Sequence, residues 1–548
     1  MGSIGYFTAE IGLWSELDTY SGGLGVLAGD HIKSAADSGK NLVAVTLLYR
    51  EGYGRQRLDI DGKQTESFAA IDPNEHLIPT GLEIALPLDD TMLFAKVWKV
   101  EIKGIEGHHV PVYFLDTDHQ KNTQYHRKLS ARLYGGDDKI RIRQEYLLGV
   151  GGLQLLDSIG IQLKGLHLNE GHCTFSLLQL LAQGWTREDL CQKVLFTTHT
   201  PVPAGHDRFE WKDVEEVIGG LLPPDAKDIV KNAGDNEEGR RCSMSHLAVG
   251  LCNHVNGVSA LNAQIAQSMY NGREIYPITN GIHHLTWVSS PMKSLFDKHI
   301  PTWKQSPEHL IKADEIPIDE VMIARQRSRK ILNELIEASN DITLEEHRLT
   351  IGFARRFATY KRANLVFHDL ERLRSIGKNR IQFVFSGKAH PKDSGGKQLI
   401  ESIFGSKSEL NGDIPVVFLE NYDMDTGLAM TSGVDIWLNN PIRPMEASGT
   451  SGMKAAMNGV PNCSILDGWW PEACVHGMNG WALGNGEDTR DDARDAAYIY
   501  EVLEEQILPI WENDKSQWAE IVRRSIVASS KFTGKRMIED YDVFYSQF

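Results

Sequence analysis

The chain predicts an α/β protein of two domains, each a largely parallel sheet flanked by helices. Three observations carry this expectation. The 548 residues exceed what one hydrophobic core usually serves. Short apolar runs alternate with helical segments, most clearly in the second half, which is the rhythm of βα units around a buried parallel sheet. Polar clusters fall at the ends of those runs, and open α/β sheets bind ligands outside the carboxyl ends of their strands.

In chain order, strands are expected at 42–48, 110–115, 165–168 and 194–197. The pattern breaks near Pro277-Ile278-Thr279-Asn280-Gly281, and Pro291, Pro301 and Pro307 punctuate the stretch after it. The boundary is placed at residue 285, giving domains 1–285 and 286–548. Further strands are expected at 349–354, 381–385, 414–419, 434–438 and 462–466, each ending in a polar or glycine-rich turn. Residues 487–505 and 514–530 read as helices that pack back across both domains.

Composition narrows the function. Lys and Arg number 57 against 74 Asp and Glu, a net charge of −17. That balance disfavours a broad nucleic-acid footprint or an anionic membrane as partner, so any phosphate site is a local basic pocket. No apolar run is long enough to span a bilayer, and the N-terminus lacks the basic and apolar regions of a secretory signal. The six cysteines are scattered without CxxC pairs. They suggest reduced thiols in a cytoplasm and no metal site.

Four motifs remain. Met445-Glu446-Ala447-Ser448-Gly449-Thr450-Ser451-Gly452-Met453-Lys454 brings small residues up to a lysine. A helix is expected to begin at or just before Lys454, and a helix N-terminus favours an anion. Such a lysine can hold a nucleotide as a point charge, or carry pyridoxal phosphate as a Schiff base, or be a surface residue after a turn. Arg355-Arg356-Phe357-Ala358-Thr359-Tyr360-Lys361-Arg362 sets four cations after the strand at 349–354. It is either a clamp for more than one phosphate or a solvated helix start.

Tyr20-Ser21-Gly22-Gly23-Leu24-Gly25-Val26-Leu27-Ala28 contains a dinucleotide-type glycine pattern, with Glu51 at the spacing of a ribose-binding acid. A glycine-rich turn offering backbone N–H groups to some phosphate is the stronger reading. His167-Leu168-Asn169-Glu170-Gly171-His172 does not match the HExxH zinc spacing. His199 in Thr198-His199-Thr200-Pro201 and the pair His283-His284 are each open between structural and ligand-facing roles. Trp469, Trp470 and Trp481 read as domain-interface packing with their N–H groups bonded, rather than as sugar platforms.

Together and in this order these segments resemble the α-glucan (glycogen, starch and maltodextrin) phosphorylases over nearly the whole chain. Glu446–Lys454 is similar to that family's cofactor-lysine segment, Arg355–Arg362 to its phosphate-binding segment, and Ser21–Gly25 to its glycine loop. The resemblance implies a GT-B fold, two Rossmann-like domains facing across a catalytic cleft. It implies phosphorolysis of an α-1,4-glucan from its non-reducing end by inorganic phosphate, reversible and retaining, giving glucose 1-phosphate. It also implies pyridoxal 5'-phosphate on Lys454, whose phosphate exchanges a proton with substrate phosphate.

Carried over residue by residue, Arg356 and Lys361 hold substrate phosphate with the Gly22 and Gly23 backbone, Gly23 also serving the cofactor side. Arg355, Thr450 and Ser451 hold cofactor phosphate, and Tyr422 lies near its ring. Glu446, Ala447, Ser448, Gly449, Asn280 and His199 hold the reacting glucose, the His199 carbonyl facing developing positive charge. Ser451-Gly452 stands where vertebrate-type enzymes have Gly-Asn, which resembles the shorter prokaryotic branch. The family's regulatory N-terminal extension has no counterpart, so its allosteric control is not expected, and a homodimer is expected without the family's usual contacts. Two rivals stand beside this reading. A nucleotide-sugar-dependent synthase of the same fold conflicts with Tyr20 and with Lys454. A silent glucan-binding protein has no need of Lys454.

Overall fold

The computed structural model describes every residue except 1, 200, 202–204, 236–239 and 341–342. Thr200 of the His199 motif therefore lies outside the described residues. The chain forms two compact units. One comprises Met1–Gly54, Phe68–Thr279 and Met537–Phe548; the other comprises Arg55–Ser67 and Asn280–Arg536. The main division thus falls at Thr279/Asn280, within the break at 277–281 and ahead of the boundary placed at residue 285. Helices Asp492–Val502 and Lys515–Ser529 belong to the second unit. The segment that returns to the first unit is the end of the last helix, Gly534–Tyr545, which the sequence pattern did not single out.

Among the described residues the first unit has a nine-stranded sheet. Its spatial order is Tyr276–Pro277, His254–Gly257, Val194–Thr197, Leu163–Asn169, Ser3–Thr8, Leu42–Leu47, His109–Asp116, Thr91–Lys103 and Ile78–Leu88. The pairings from the first of these through His109–Asp116 are parallel, and the last two strands add antiparallel. The central strands are buried along their length, which is why they read as continuous apolar runs. Thr91–Lys103 and Ile78–Leu88 are half exposed, with a mixed pattern that hid them in the sequence. Asp89 and Asp90 close this hairpin, with φ of 50° and 59°, as the tight hairpin turns require. The last helix is tied down by buried histidines. His167 meets the Tyr545 hydroxyl at 2.7 Å and Thr197 Oγ1 at 2.7 Å, and His31 meets the same Tyr545 hydroxyl at 3.0 Å. His167 is therefore structural.

The second unit's sheet is parallel throughout, in the order Val416–Leu419, Ile381–Ser386, Leu349–Ala354, Ile436–Asn439, Asn462–Ile465, Gly480–Leu483. Numbered along the chain this is 3-2-1-4-5-6, the doubly wound order, whose ligand crevice opens where the winding reverses, between Leu349–Ala354 and Ile436–Asn439. The hairpin Arg55–Leu58/Gln64–Ser67 belongs here although it lies early in the chain. Gln56 donates to the Gly387 carbonyl at 2.9 Å and Gln64 to the Ala389 carbonyl at 2.9 Å. Trp469, Trp470 and Trp481 are core residues, at most 2% exposed. No described helix is long and apolar enough to cross a membrane.

Candidate active site

At the reversal point of the second unit, Arg355 and Arg356 leave the strand Leu349–Ala354. The segment is not the solvated helix start that its run of cations allowed. Phe357 bridges to Ala389, and only a single 3-10 turn, Thr359–Lys361, comes before Arg362 turns left-handed at φ 49°. The four cations separate by role. Arg362 is buried and structural, binding Asp492 at 2.9 Å, Asp495 at 2.7 Å and the carbonyls of Asn440 and Pro441. Arg356 is exposed.

Arg355 and Lys361 converge on Glu446. The Arg355 guanidinium lies 2.6 Å from Glu446 Oε2, and Lys361 Nζ lies 2.7 and 2.8 Å from the two carboxylate oxygens. Burial opposes the charge on Glu446. Arg355 and Lys361 outweigh it and hold the carboxyl below the usual glutamate range. Arg355 also donates to Asn439 Oδ1 at the end of the neighbouring strand.

The loop that carries Glu446 is fixed from behind by a turn that no sequence motif marked. Asp467 Oδ2 accepts the Glu446 N–H at 2.9 Å and Oδ1 accepts the Gly468 N–H at 2.8 Å. The Trp469 N–H donates to the Ser448 carbonyl at 2.9 Å. Gly468 has φ 57°, and a Cβ there would sit 2.3 Å from the Ser448 carbonyl oxygen, so this position needs glycine. Asp467 is fully buried, and burial pushes its carboxyl up to about 7, with the Glu446 charge adding to the effect. The signal available in the sequence was an isolated acid ending an apolar run, Ile465-Leu466-Asp467-Gly468.

The helix near Lys454 runs from Thr450 to Met457, with Gly449 at its N-cap in the left-handed region at φ 82°. It therefore begins four residues before the lysine, not at it. Thr450 and Ser451 occupy the helix start, and Lys454 sits one turn in. Lys454 is 5% exposed, and its Nζ stands 3.4 Å from the centroid of the Trp287 ring, a buried cation–π contact. Ser451 accepts from Trp437 Nε1 at 3.2 Å. Tyr422 is largely enclosed, its hydroxyl pushed up to about 12 by burial and by Asp423. Ser448 Oγ, Asn280 Oδ1 and Arg355 Nε are buried without a hydrogen-bond partner among the described residues. The Asn280 carbonyl accepts from Arg536 at 2.9 Å.

In the first unit, the helix Gly23–Asp37 starts at the glycine-rich loop, with Gly22 as an extended N-cap and no side-chain cap. The strand Ser3–Thr8 ends well before that helix, unlike the direct strand-to-helix passage of a dinucleotide site. Glu51 is paired with Arg132. His199 lies just past the strand Val194–Thr197. Its N–H donates to Glu170 at 2.8 Å, its ring meets Asn169 Oδ1 at 2.6 Å, and its carbonyl accepts from Asn262 at 3.2 Å. Burial lowers the ring to about 4, so the imidazole is neutral near pH 7. His283 and His284 make local contacts, to Thr286 and to the Lys304 carbonyl.

The second unit is thus doubly wound, with a buried lysine behind a small-residue helix start and, past the strand at its reversal point, a carboxylate held by two cations. Residues 214–473 match the family model described as carbohydrate phosphorylase. The chain is 38% identical to a maltodextrin phosphorylase of Thermococcus litoralis, covering 99% of this chain and 70% of that protein. It is 34% identical to a glycogen phosphorylase of Mycobacterium tuberculosis, with the same coverage. It is 33% identical to a glycogen phosphorylase of Aquifex aeolicus, covering 99% of this chain and 86% of that one. The chain belongs to the carbohydrate phosphorylase family, and its fold is of the GT-B class.

Proposed function

We propose that this protein is an α-1,4-glucan phosphorylase that uses pyridoxal 5'-phosphate held by Lys454. It transfers the non-reducing terminal glucose of glycogen, starch or maltodextrin to inorganic phosphate, reversibly and with retention, giving glucose 1-phosphate. The observation that carries the reading is Lys454. A buried lysine stacked on Trp287, one turn behind Gly449-Thr450-Ser451, fits an amine that carries a flat ring whose phosphate meets the helix start. The unpartnered Ser448 Oγ, Asn280 Oδ1 and Arg355 Nε are what a site shaped for absent ligands leaves behind. Relatives named as maltodextrin and glycogen phosphorylases do not favour the nucleotide-sugar synthase reading.

When bound, the cofactor supplies a phosphate group that serves as proton partner to the substrate phosphate. Arg355, Thr450 and Ser451 would hold that group, with Tyr422 beside the ring. Arg356, which is exposed, would meet a second anion, and Lys361 would share its charge between that anion and Glu446. Glu446, with Ala447, Ser448 and Gly449, would receive glucose hydroxyls, and Asn280 Oδ1 offers a further acceptor. From the first unit, the resemblance assigns the Gly22-Gly23 backbone to substrate phosphate and the His199 carbonyl to the sugar. Substrate hydrogen phosphate gives its proton to the departing glycosidic oxygen. That C–O bond breaks, and a phosphate oxygen bonds the anomeric carbon from the same face. Fixed donors and acceptors around this exchange replace water without reorganising.

The test is release of glucose 1-phosphate from a soluble maltodextrin with phosphate supplied, alongside the near-ultraviolet and visible spectrum. Lys454→Ala is expected to lose the pyridoxal band and nearly all turnover with far-ultraviolet circular dichroism unchanged. Turnover with a nucleotide sugar and none with phosphate would overturn the assignment, as would a variant that keeps both band and activity.

A further inference from the structure

Glu10 lies just beyond the carboxyl end of Ser3–Thr8, at the point where the first unit's sheet reverses its winding between Leu163–Asn169 and Leu42–Leu47. It is 2% exposed. Its Oε2 accepts the Ser21 N–H at 2.6 Å, and the Ser21 hydroxyl lies 3.1 and 3.3 Å from the two carboxylate oxygens. Oε1 accepts the Tyr134 hydroxyl at 2.8 Å. The carboxylate also explains a glycine. A Cβ on Gly25 would fall 2.7 Å from Glu10 Oε2 and 2.6 Å from Tyr20 Cβ.

The neighbouring backbone is clamped in the same place. The Gly12 N–H donates to the Gly25 carbonyl at 2.7 Å, and a Cβ on Gly29 would meet the Gly12 oxygen at 1.8 Å. On the other side of the loop, a Cβ on Gly23 would meet nothing within 4 Å. The loop is thus fastened on one face and open on the other, where no side chain caps the helix.

We propose that Glu10 is the positioning residue of the glycine-rich loop. It takes up the Ser21 N–H just outside the helix and leaves the first helical N–H groups, from Gly23 onward, aimed at substrate phosphate. This rests on the phosphorylase reading for the identity of the anion, though not for the clamp itself. A carboxylate suits the position because it only accepts. Three donor contacts converge on its two oxygens, and a helix N-terminus stabilises negative charge nearby. A glutamine loses the negative charge on which these donors converge. With its NH2 toward the Tyr134 hydroxyl, which can accept, its oxygen holds the Ser21 N–H by a weaker neutral bond, and with its NH2 toward the Ser21 N–H that contact is lost.

The test uses the full-length holoenzyme and Glu10→Gln, with two readouts. Amide hydrogen exchange over residues 20–26 is expected to quicken about tenfold, with residues 30–37 unchanged. The apparent KM for phosphate is expected to rise about tenfold, with the KM for maltodextrin within twofold of wild type. Unchanged exchange at 20–26 overturns the proposal. So does a phosphate KM that stays level, falls, or rises only in step with the glucan KM, because the carboxylate would then act as a charge or a general support. Wild-type enzyme without phosphate-dependent turnover would defeat the phosphorylase reading, while the exchange data would still decide the clamp. Should Glu10→Gln not fold, Tyr134→Phe removes one donor and leaves the Ser21 contact. It is expected to quicken the same amides about threefold, and no change there counts against the proposal.

Discussion

Replacing Glu446 by glutamine removes the anion shared by Arg355 and Lys361 and changes almost nothing in shape. The three side chains are 6%, 12% and 10% exposed, so solvent screens the remaining cations weakly. Breaking a buried pair by neutralising one partner typically costs about 3–5 kcal/mol. The amide oxygen still accepts from one cation, which places the expected loss at the lower end, about 3 kcal/mol, or more than a hundredfold in the unfolding equilibrium.

Tryptophan fluorescence during guanidinium unfolding reads this well. The seven most deeply buried tryptophans (287, 303, 437, 469, 470, 481 and 518) all belong to the unit that holds Glu446. Phosphorolysis is expected to fall to near background, because the proposed function has the same carboxylate receive glucose hydroxyls. Glu446→Gln combined with Lys361→Met is expected to regain about 1–2 kcal/mol of stability and no activity, since removing the second charge relieves the uncompensated first. A single variant within about half a kcal/mol of wild type would refute the reasoning. A double variant no more stable than the single would refute it too.

Arg356→Ala is expected to leave stability within about half a kcal/mol, because the side chain is exposed. It is nonetheless expected to raise the apparent phosphate KM more than tenfold; steady-state kinetics with phosphate and glucan varied separately checks this. Asp467 predicts a pH effect. Its folded value of about 7 lies above the ordinary 3.8, so the folded state keeps a proton that the unfolded chain has lost. Its contribution is most favourable below about pH 4, is lost as pH rises toward 7, and is level above that, a span of at most about 4 kcal/mol. Unfolding free energy measured from pH 4 to 8 is expected to show this decline in wild type and not in Asp467→Asn.

The sequence by itself determined the α/β class, because strands buried on both faces are apolar along most of their length, and 349–354 or 194–197 are too short for helices and are bounded by polar turns. It also marked the segments proposed to carry the chemistry, since small residues before Lys454 and four cations after a strand are local facts. The tertiary structure decided how those residues divide their work. Arg362 and Lys361 are adjacent in the chain, yet one locks a helix through Asp495 and the other meets Glu446, 85 residues on. Asp467 and Glu10 were invisible as positioning groups because the N–H groups of Glu446 and Ser21, and the Tyr134 hydroxyl, are brought to them only by folding. The helix start at Thr450 depended on Gly449 adopting φ 82°, a backbone choice that glycine permits but does not announce. The unit that owns Arg55–Ser67 was likewise set by Gln56 and Gln64 reaching carbonyls 331 and 325 residues away. Local patterns reveal what a residue can do; long-range hydrogen bonds and burial select which of those things it does.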